Sequence, residues 1–366
     1  MVECKVPELP SRVEEVASMA RNIGYDVLEV IVQKRKSVHH STCLGPGKLV
    51  EIRKLVEAKD IEYVIFANTL PSSQVFKVQR QLGGDVKVID RNLLILEVFD
   101  KRAMTKEAKL QIRLARLRYT FSWGREFLRL EGILGEQVGW SGPGDYPYSE
   151  YEREARKRIS RLEAELRDLY RKKDLIRERR HELGFPIVAL AGYTQSGKTT
   201  FFNRLASEEK SVGLGPFTTL STVARRVTVP SNDGNTQFML VDSIGLIEDM
   251  HPIILKAFNT TLGEITQADL ILLFVDVGED LSDLTRKLAS TDKTLRQTGV
   301  TSRIIVCANK IDRASQDHLE MALKEIGRYF PGASVLQISA LTGKGVNNLL
   351  SKIVSELKET AVKTSA

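Results

Sequence analysis

Apolar and polar positions follow two different periods along the first hundred residues. Stretches with helical periodicity are separated by short apolar runs, which predict strands. Strands that alternate with helices favour a parallel sheet, because each parallel connection needs a crossover. We therefore predict a small parallel α/β domain at residues 1–100. Its helices are predicted at 12–23, 49–58 and 72–82, and its strands at 26–33, 63–67 and 86–89.

The middle of the chain has a heptad pattern, in which apolar residues are spaced by four and three positions. This pattern predicts two long helices, separated by a segment with five glycines and two prolines. Such helices pack antiparallel, so we predict a basic two-helix arm at 101–183 with a glycine-rich loop at 131–148. Trp123 lies near the apolar seam and is interpreted as a packing residue, whereas Trp140 in the loop is a candidate for stacking on RNA bases.

From residue 184 the pattern again predicts an α/β domain, which extends to residue 366. Short apolar runs alternate with helical stretches, as expected for a doubly wound sheet. The predicted strands are 187–191, 238–241, 270–275, 304–308 and 335–338.

Composition agrees with a folded globular protein, since 42% of the 366 residues are hydrophobic and 28% are charged. The three cysteines are far apart in the sequence and form no C-x-x-C pair, which argues against a disulfide framework or a cysteine zinc site. A reducing compartment fits this usage. No apolar run is long enough to cross a bilayer, so we expect a cytoplasmic protein with no membrane partner.

The net charge of +7 is concentrated in the predicted arm. Residues 101–130 contain nine Lys and Arg against two acidic residues, and residues 151–180 contain twelve against seven. A basic zone of this kind can concentrate a polyanion such as RNA. The alternative is that these residues form two solvated helical faces without a partner.

A phosphate-binding motif follows the predicted strand 187–191. The segment from Gly192 to Thr199 fits G-x-x-x-x-G-K-[ST] at each fixed position. In this motif backbone N–H groups surround phosphate oxygens, the Lys198 ammonium meets the β and γ phosphates, and the Thr199 hydroxyl binds Mg²⁺. The predicted nucleotide-binding residues here are Gly192, Tyr193, Thr194, Gln195, Ser196, Gly197, Lys198, Thr199 and Thr200.

A second motif, D-x-x-G, ends the predicted strand 238–241. Asp242 is expected to hold the Mg²⁺ shell, and the N–H of Gly245 is expected to meet the γ phosphate. By itself D-x-x-G is weak evidence for a nucleotide site. Its position after the phosphate-binding motif makes that evidence stronger.

Two further strand ends are predicted to select the base. The carboxylate of Asp312 can accept from both N1–H and the 2-amino group of guanine, and adenine offers neither donor there. Asn309 is expected to brace this loop and Lys310 to lie along the base. The segment Ser339, Ala340 and Leu341 follows the last strand, and the N–H of Ala340 is predicted to meet guanine O6.

The order of these motifs resembles the TRAFAC class of GTPases and, over nearly the whole chain, the HflX family. The further segments that carry this resemblance are Gly45-Pro46-Gly47-Lys48, Asp90-Arg91, Gly142-Pro143-Gly144-Asp145, Phe217-Thr218-Thr219-Leu220 and His251-Pro252. The resemblance implies a P-loop GTPase that hydrolyses GTP to GDP and phosphate with Mg²⁺. It also implies binding to the large ribosomal subunit and its RNA, and some family members split ribosomes.

The resemblance also implies roles for residues in the switch segments. Thr219 corresponds to the switch threonine that closes on Mg²⁺ and the γ phosphate, next to Phe217 and Thr218 in the nucleotide site. The implied Mg²⁺ ligands are then Thr199, Thr219 and Asp242. Leu246 occupies the position where many G proteins have a water-orienting glutamine, so we expect slow intrinsic hydrolysis that the ribosome accelerates. No catalytic residue is assigned.

The function predicted from the sequence is that of a monomeric, GTP-hydrolysing factor. We expect it to bind the large ribosomal subunit through the amino-terminal domain and the basic arm, and its nucleotide state to set the affinity. Two alternatives stay open at this point. One is a ribosome assembly GTPase, and the other is an RNA remodelling protein that holds nucleotide as a slow structural ligand.

Overall fold

The protein is described here from a computed structural model. The described residues are 1–7, 11–83, 86–103, 105–134, 146–182, 185–206, 223–231, 234–242, 245, 251–254 and 268–364. The predicted site residues Phe217, Thr218 and Thr219, together with Trp140 and Leu246, lie outside these ranges. Within them, no helix is long and apolar enough to span a bilayer.

The chain divides into two compact units. Unit 1 consists of Met1–Leu169 and His251–Ala257, and unit 2 consists of Tyr170–Met250 and Phe258–Ala366.

Unit 1 contains a four-stranded parallel sheet in the order β2-β1-β3-β4, which confirms the predicted parallel α/β fold. The strands are β1 (Val2–Lys5), β2 (Ile31–Lys34), β3 (Tyr63–Phe66) and β4 (Lys87–Asp90). Its first helices are α1 (Val13–Asn22), α2 (Pro46–Lys59), α3 (Ser72–Leu82) and α4 (Arg91–Arg102). Sequence patterning did not predict β1 or α4.

A buried carboxylate connects β4 to the helices around it. Asp90 caps the start of α4 by accepting a hydrogen bond from the N–H of Leu93 at 2.9 Å. Its other oxygen accepts from the hydroxyl of Tyr119 at 2.5 Å, and burial raises the pKa of this carboxyl group. The ring of Tyr119 also meets that of His251 edge to face. The Asp90-Arg91 segment of the family resemblance is therefore part of a structural polar cluster.

Two long helices follow, α5 (Lys106–Leu134) and α6 (Tyr146–Glu182). Arg118 of α5 pairs with Glu163 of α6, and Phe121 stacks on Tyr151. The later residue of α5 thus contacts the earlier residue of α6. This order confirms that the two helices are antiparallel. Both helices extend a few residues into the predicted loop 131–148.

Helix α5 is also part of the core of unit 1. Trp123 and Phe127 pack against the apolar cluster between the sheet and its helices, so the interpretation of Trp123 as a packing residue is confirmed. The ring of Phe127 meets Phe76 of α3 edge to face.

Unit 2 contains a six-stranded sheet in the order β10-β9-β8-β5-β7-β6, which confirms the predicted doubly wound domain. All neighbouring strands are parallel except β6, which pairs antiparallel with β7 and was not predicted. The strands are β5 (Ile187–Gly192), β6 (Val223–Ser231), β7 (Gly234–Asp242), β8 (Leu270–Asp276), β9 (Arg303–Asn309) and β10 (Ser334–Gln337). The helices are α7 (Lys198–Ala206), α8 (Leu281–Gln297), α9 (Gln316–Tyr329) and α10 (Val346–Thr364).

The register of this sheet brings the carboxyl ends of its strands to one edge. Leu190 of β5 lies beside Asp242 of β7, and Asp276 of β8 lies beside Asn309 of β9. In open α/β sheets ligands bind at this edge, next to the point where the strand order reverses. The motifs singled out in the sequence therefore converge at the position where a ligand is expected.

Candidate functional site

The loop between β5 and α7 has a backbone that suits phosphate binding. Gly192 has φ +137° and Gly197 has φ +100°, values that residues with a Cβ rarely adopt. A Cβ at Gly192 would lie 2.3 Å from the carbonyl oxygen of Phe274, and one at Gly197 would lie 2.1 Å from the side-chain nitrogen of Asn309. Glycine is therefore required at both positions by conformation and by space.

The amino group of Lys198 is enclosed at the start of α7. The residue is 6% exposed, and its Nζ donates to the carbonyl oxygens of Gly192 at 3.0 Å and Tyr193 at 2.7 Å. Burial lowers the pKa of Lys198 to about 8, the nearby Asp242 opposes this shift, and Lys310 adds to it. A buried ammonium whose hydrogen bonds among the described residues go to neutral carbonyl oxygens can still attract an anion.

Two oxygen groups that suit a magnesium ion lie beside this lysine. The Oγ1 of Thr199 and a carboxylate oxygen of Asp242 are 3.3 Å apart, and both residues are buried. Hydroxyl and carboxylate oxygens are the ligands that Mg²⁺ prefers. The buried hydroxyl of Ser196 has no hydrogen-bond partner in the described part of the chain, as expected for a group that meets a ligand.

The D-x-x-G segment contacts the phosphate loop directly. Gly245 is buried, and a Cβ there would lie 2.8 Å from the Cγ2 and 2.9 Å from the Cα of Thr194. The glycine of the D-x-x-G motif thus allows the two segments to touch.

Asn309, the last residue of β9, is hydrogen-bonded to two other segments. Its side-chain nitrogen donates to the carbonyl oxygen of Ser196 at 2.7 Å, and its side-chain oxygen accepts from the N–H of Ala340 at 2.8 Å. The N–H that was predicted to meet guanine O6 is therefore hydrogen-bonded to Asn309.

Other residues predicted to contact the base are Lys310, Asp312 and Ser339. Lys310 has φ +67° and pairs with the carboxylate of Asp276 at 2.5 Å. Asp312 is exposed, so its carboxylate becomes desolvated only when a ligand covers it. The buried Ser339 closes a turn, because its hydroxyl accepts from the N–H of Thr342 at 3.1 Å.

Sequence patterning missed three side chains at this edge. Asp276 ends a buried strand with a carboxylate, a signal that could have identified it. Lys287 of α8 pairs with Glu279 and lies 4.8 Å from the ring centroid of Tyr193, which places a cation beside the phosphate loop. Arg204 of α7 contacts the turn after Ser339, and nothing in its sequence neighbourhood pointed to that contact.

Three family models match the chain in succession. The model described as "GTP-binding GTPase N-terminal" matches residues 10–100, and "GTP-binding GTPase Middle Region" matches residues 102–180. The model described as "50S ribosome-binding GTPase" matches residues 187–310.

Curated relatives called GTPase HflX are similar along most of the sequence. The protein from Thermococcus kodakarensis is 36% identical over 336 residues, which are 90% of this chain and 74% of the relative. The protein from Hyperthermus butylicus is 36% identical over 362 residues, which are 95% of this chain and 93% of the relative. A crystal structure of SsGBP with GDP is 27% identical, has a TM-score of 0.51, and covers 100% of this chain and 99% of that one. Since the two curated HflX proteins are more than 30% identical to this chain over nearly its full sequence, the chain belongs to the HflX family of GTPases.

Proposed function

We propose that this GTPase binds the large ribosomal subunit through basic residues of unit 1, and that the nucleotide in unit 2 sets the affinity. The description of the family model that matches residues 187–310 supports a ribosomal partner. The observation that carries the proposal is an exposed basic face on α5. A factor with this role acts in the cytoplasm, where ribosomes are.

In unit 2, the proposed ligand is GTP with Mg²⁺. Lys198 binds the β and γ phosphates, and the hydroxyl of Ser196 gains a partner when a phosphate oxygen arrives. Thr199 and Asp242 hold Mg²⁺, with Thr219 as the third proposed ligand. The metal ion supplies charge neutralisation along the phosphates when it is bound. Asp312 selects guanine because its carboxylate accepts hydrogen bonds from the guanine edge. Beside a base without these donors, the carboxylate would lose its water and gain no hydrogen bond in return.

The basic face on α5 consists of Lys106, Lys109 and Arg113. Spacings of three and four residues place these side chains on one side of the helix, and all three are exposed. None of them has an ion-pair partner among the residues that the structure describes. Unpaired cations on one helix face can each contact a phosphate of an RNA backbone.

Basic residues on α6 are arranged differently. Arg153, Arg156 and Arg158 are exposed, and each pairs with a glutamate three or four positions earlier on the same helix. Their positive charge is partly compensated within the helix, so they attract RNA less than an unpaired cation does. These two sets of three cations therefore differ in their expected contribution to RNA binding.

The experiment compares two triple variants with the unchanged protein. The first replaces Lys106, Lys109 and Arg113 with alanine, and the control replaces Arg153, Arg156 and Arg158 with alanine, so both lose three positive charges. Binding to purified large subunits is measured at several salt concentrations with a non-hydrolysable GTP analogue and with GDP. We expect the α5 variant to reduce the slope of log K against log salt by about two to three, and the control by less than about one.

Three outcomes would contradict the proposal. One is that neither nucleotide state supports binding at low salt. Another is that both triple variants weaken binding equally, because the effect would then follow net charge and not the unpaired face. The third is that large subunits bind equally tightly with the GTP analogue and with GDP, since we propose that the nucleotide state sets the affinity.

A further inference from the structure

Arg204 projects from α7 to the turn that follows β10. Its Nε donates to the carbonyl oxygen of Ala340 at 2.8 Å, and its Nη2 donates to the carbonyl oxygen of Leu341 at 2.6 Å. These two residues are 136 and 137 positions away in the sequence. A guanidinium group presents donors in a fixed fork, so two adjacent carbonyl groups are held in one orientation.

The turn leaves space for this guanidinium group. Gly343 has φ +89°, and a Cβ at that position would lie 2.8 Å from Nη1 of Arg204. The N–H of Gly343 donates to the carbonyl oxygen of Ser339 at 2.8 Å, which closes the turn from within. The backbone on one side of the turn is therefore shaped to receive an arginine.

Peptide planarity extends the effect of Arg204 to the opposite side of the turn. The peptide bond between Ala340 and Leu341 is trans, so its N–H points away from its C=O. Because Arg204 holds the carbonyl group, the N–H of Leu341 must point away from the arginine. In the described part of the chain this N–H has no hydrogen-bond acceptor, whereas the N–H of Ala340 donates to Asn309.

We infer that Arg204 is a positioning residue for guanine recognition, which fixes the Ala340–Leu341 peptide so that the N–H of Leu341 can donate to guanine O6. This inference rests on the proposed nucleotide site in unit 2. It assigns the O6 contact to the N–H of Leu341, because the N–H of Ala340, which the sequence suggested, donates to Asn309. Asp312 reads the N1–H and 2-amino edge of the base, and the turn held by Arg204 reads the O6 position.

The test measures the dissociation constants of three nucleotides for the full chain. GDP has the complete guanine edge, 6-thio-GDP replaces O6 with sulfur, a weaker acceptor, and inosine diphosphate lacks only the 2-amino group. The variant is Arg204→Met, which keeps the aliphatic part of an exposed side chain and removes the donors. Arg328→Met is the matched control, because Arg328 is an exposed arginine of the same unit that pairs with Glu325 on its own helix.

We expect Arg204→Met to weaken GDP binding by about fivefold to tenfold, the effect of one lost hydrogen bond of ordinary strength. Binding of 6-thio-GDP should change by less than about twofold, so the preference for oxygen over sulfur disappears. The preference for GDP over inosine diphosphate should stay unchanged, because Asp312 is intact. Arg204→Lys should restore part of the oxygen preference, and the Arg328 control should behave like the unchanged protein.

Two results would overturn the inference. If Arg204→Met keeps both the GDP affinity and the preference for oxygen over sulfur, the arginine has no role in base recognition. If it weakens all three nucleotides by the same factor, it supports the loop without positioning a donor for O6. Failure of the proposed site is recognised separately, because Lys198→Ala would then bind GDP as tightly as the unchanged chain.

Discussion

Nucleotide binding is expected to take up protons near pH 8, because burial disfavours the charged form of Lys198. Burial lowers the pKa of this residue to about 8. Bound phosphate groups place negative charge beside the amino group and raise its pKa. The charged form is thus the one that binds, and the affinity should fall as the pH rises above 8.

The size of the effect follows from this pKa. With a value of about 8, roughly a tenth of the ligand-free molecules have a neutral lysine at pH 7 and about half have one at pH 8. The lysine should therefore take up about 0.1 proton at pH 7 and about 0.5 at pH 8. The value at pH 8 is the diagnostic one, because near pH 7 the terminal phosphate of GDP also releases protons on binding. Isothermal titration calorimetry with GDP, in pairs of buffers that differ in ionisation enthalpy, measures this number directly. The series stops near pH 8.5, because guanine itself ionises at higher pH.

A neighbouring charge provides the control. Lys310 lowers the pKa of Lys198, so Lys310→Met should raise that pKa and reduce the proton uptake at pH 8. An uptake close to zero at pH 8 in the unchanged protein would refute the reasoning, since the amino group would then be charged before any ligand arrives. An increase in uptake for Lys310→Met would contradict the assigned sign.

Three further predictions concern single side chains. Gly192→Ala should abolish nucleotide binding and lower the thermal midpoint, because its Cβ would collide with the carbonyl oxygen of Phe274; an unchanged midpoint would count against this. Tyr119→Phe should reduce the free energy of unfolding by about 1–3 kcal/mol in urea titrations, since the buried carboxylate of Asp90 loses a donor; no change would show that water replaces the hydroxyl. Asp312→Asn should shift preference from guanine to xanthine nucleotides by about tenfold or more, and retained guanine preference in competition assays would argue against its role.

Strands that are buried on both faces were predictable from the sequence. Residues 187–191 and 270–275 read as continuous apolar runs because helices cover both sides of a parallel sheet. The predicted site residues directly follow such runs, so the position of the proposed site followed from the same pattern. Asp242 and Asn309 are the last residues of their strands, and the register brings both to one edge.

Elements with buried polar residues were not predictable in this way. β1 is four residues long and includes the buried Glu3, whose carboxylate accepts from Ser11 and from the N–H of Arg12. α4 begins with the buried Arg91 and Asn92 and is apolar around most of its circumference, so no helical period was visible. In both cases the polar partners come from elsewhere in the fold, and a periodicity argument contains no information about them.

The edge strand β6 was missed for a different reason. It has a strand neighbour on one side only, and its buried residues Val227 and Val229 alternate with exposed polar ones. The alternation covers only Val227 to Val229, between the Arg225-Arg226 pair and Pro230, so it is shorter than the roughly four to eight residues that indicate a strand. Arg204 illustrates the same limit within the site, because its role depends on a turn that meets it only after the whole sheet has formed.

The side chain of Asn309 connects the two halves of the proposed nucleotide site. It is 1% exposed, and it is hydrogen-bonded on one side to Ser196 of the loop between β5 and α7 and on the other to Ala340 of the turn proposed to read the base. Gly197 has no room for a Cβ because Asn309 lies against it, so neither segment can shift without moving this side chain. A base that disturbs the turn should therefore also disturb the phosphate loop. Discrimination against a wrong base is then larger than the base contacts alone provide, since part of the phosphate affinity is lost with them.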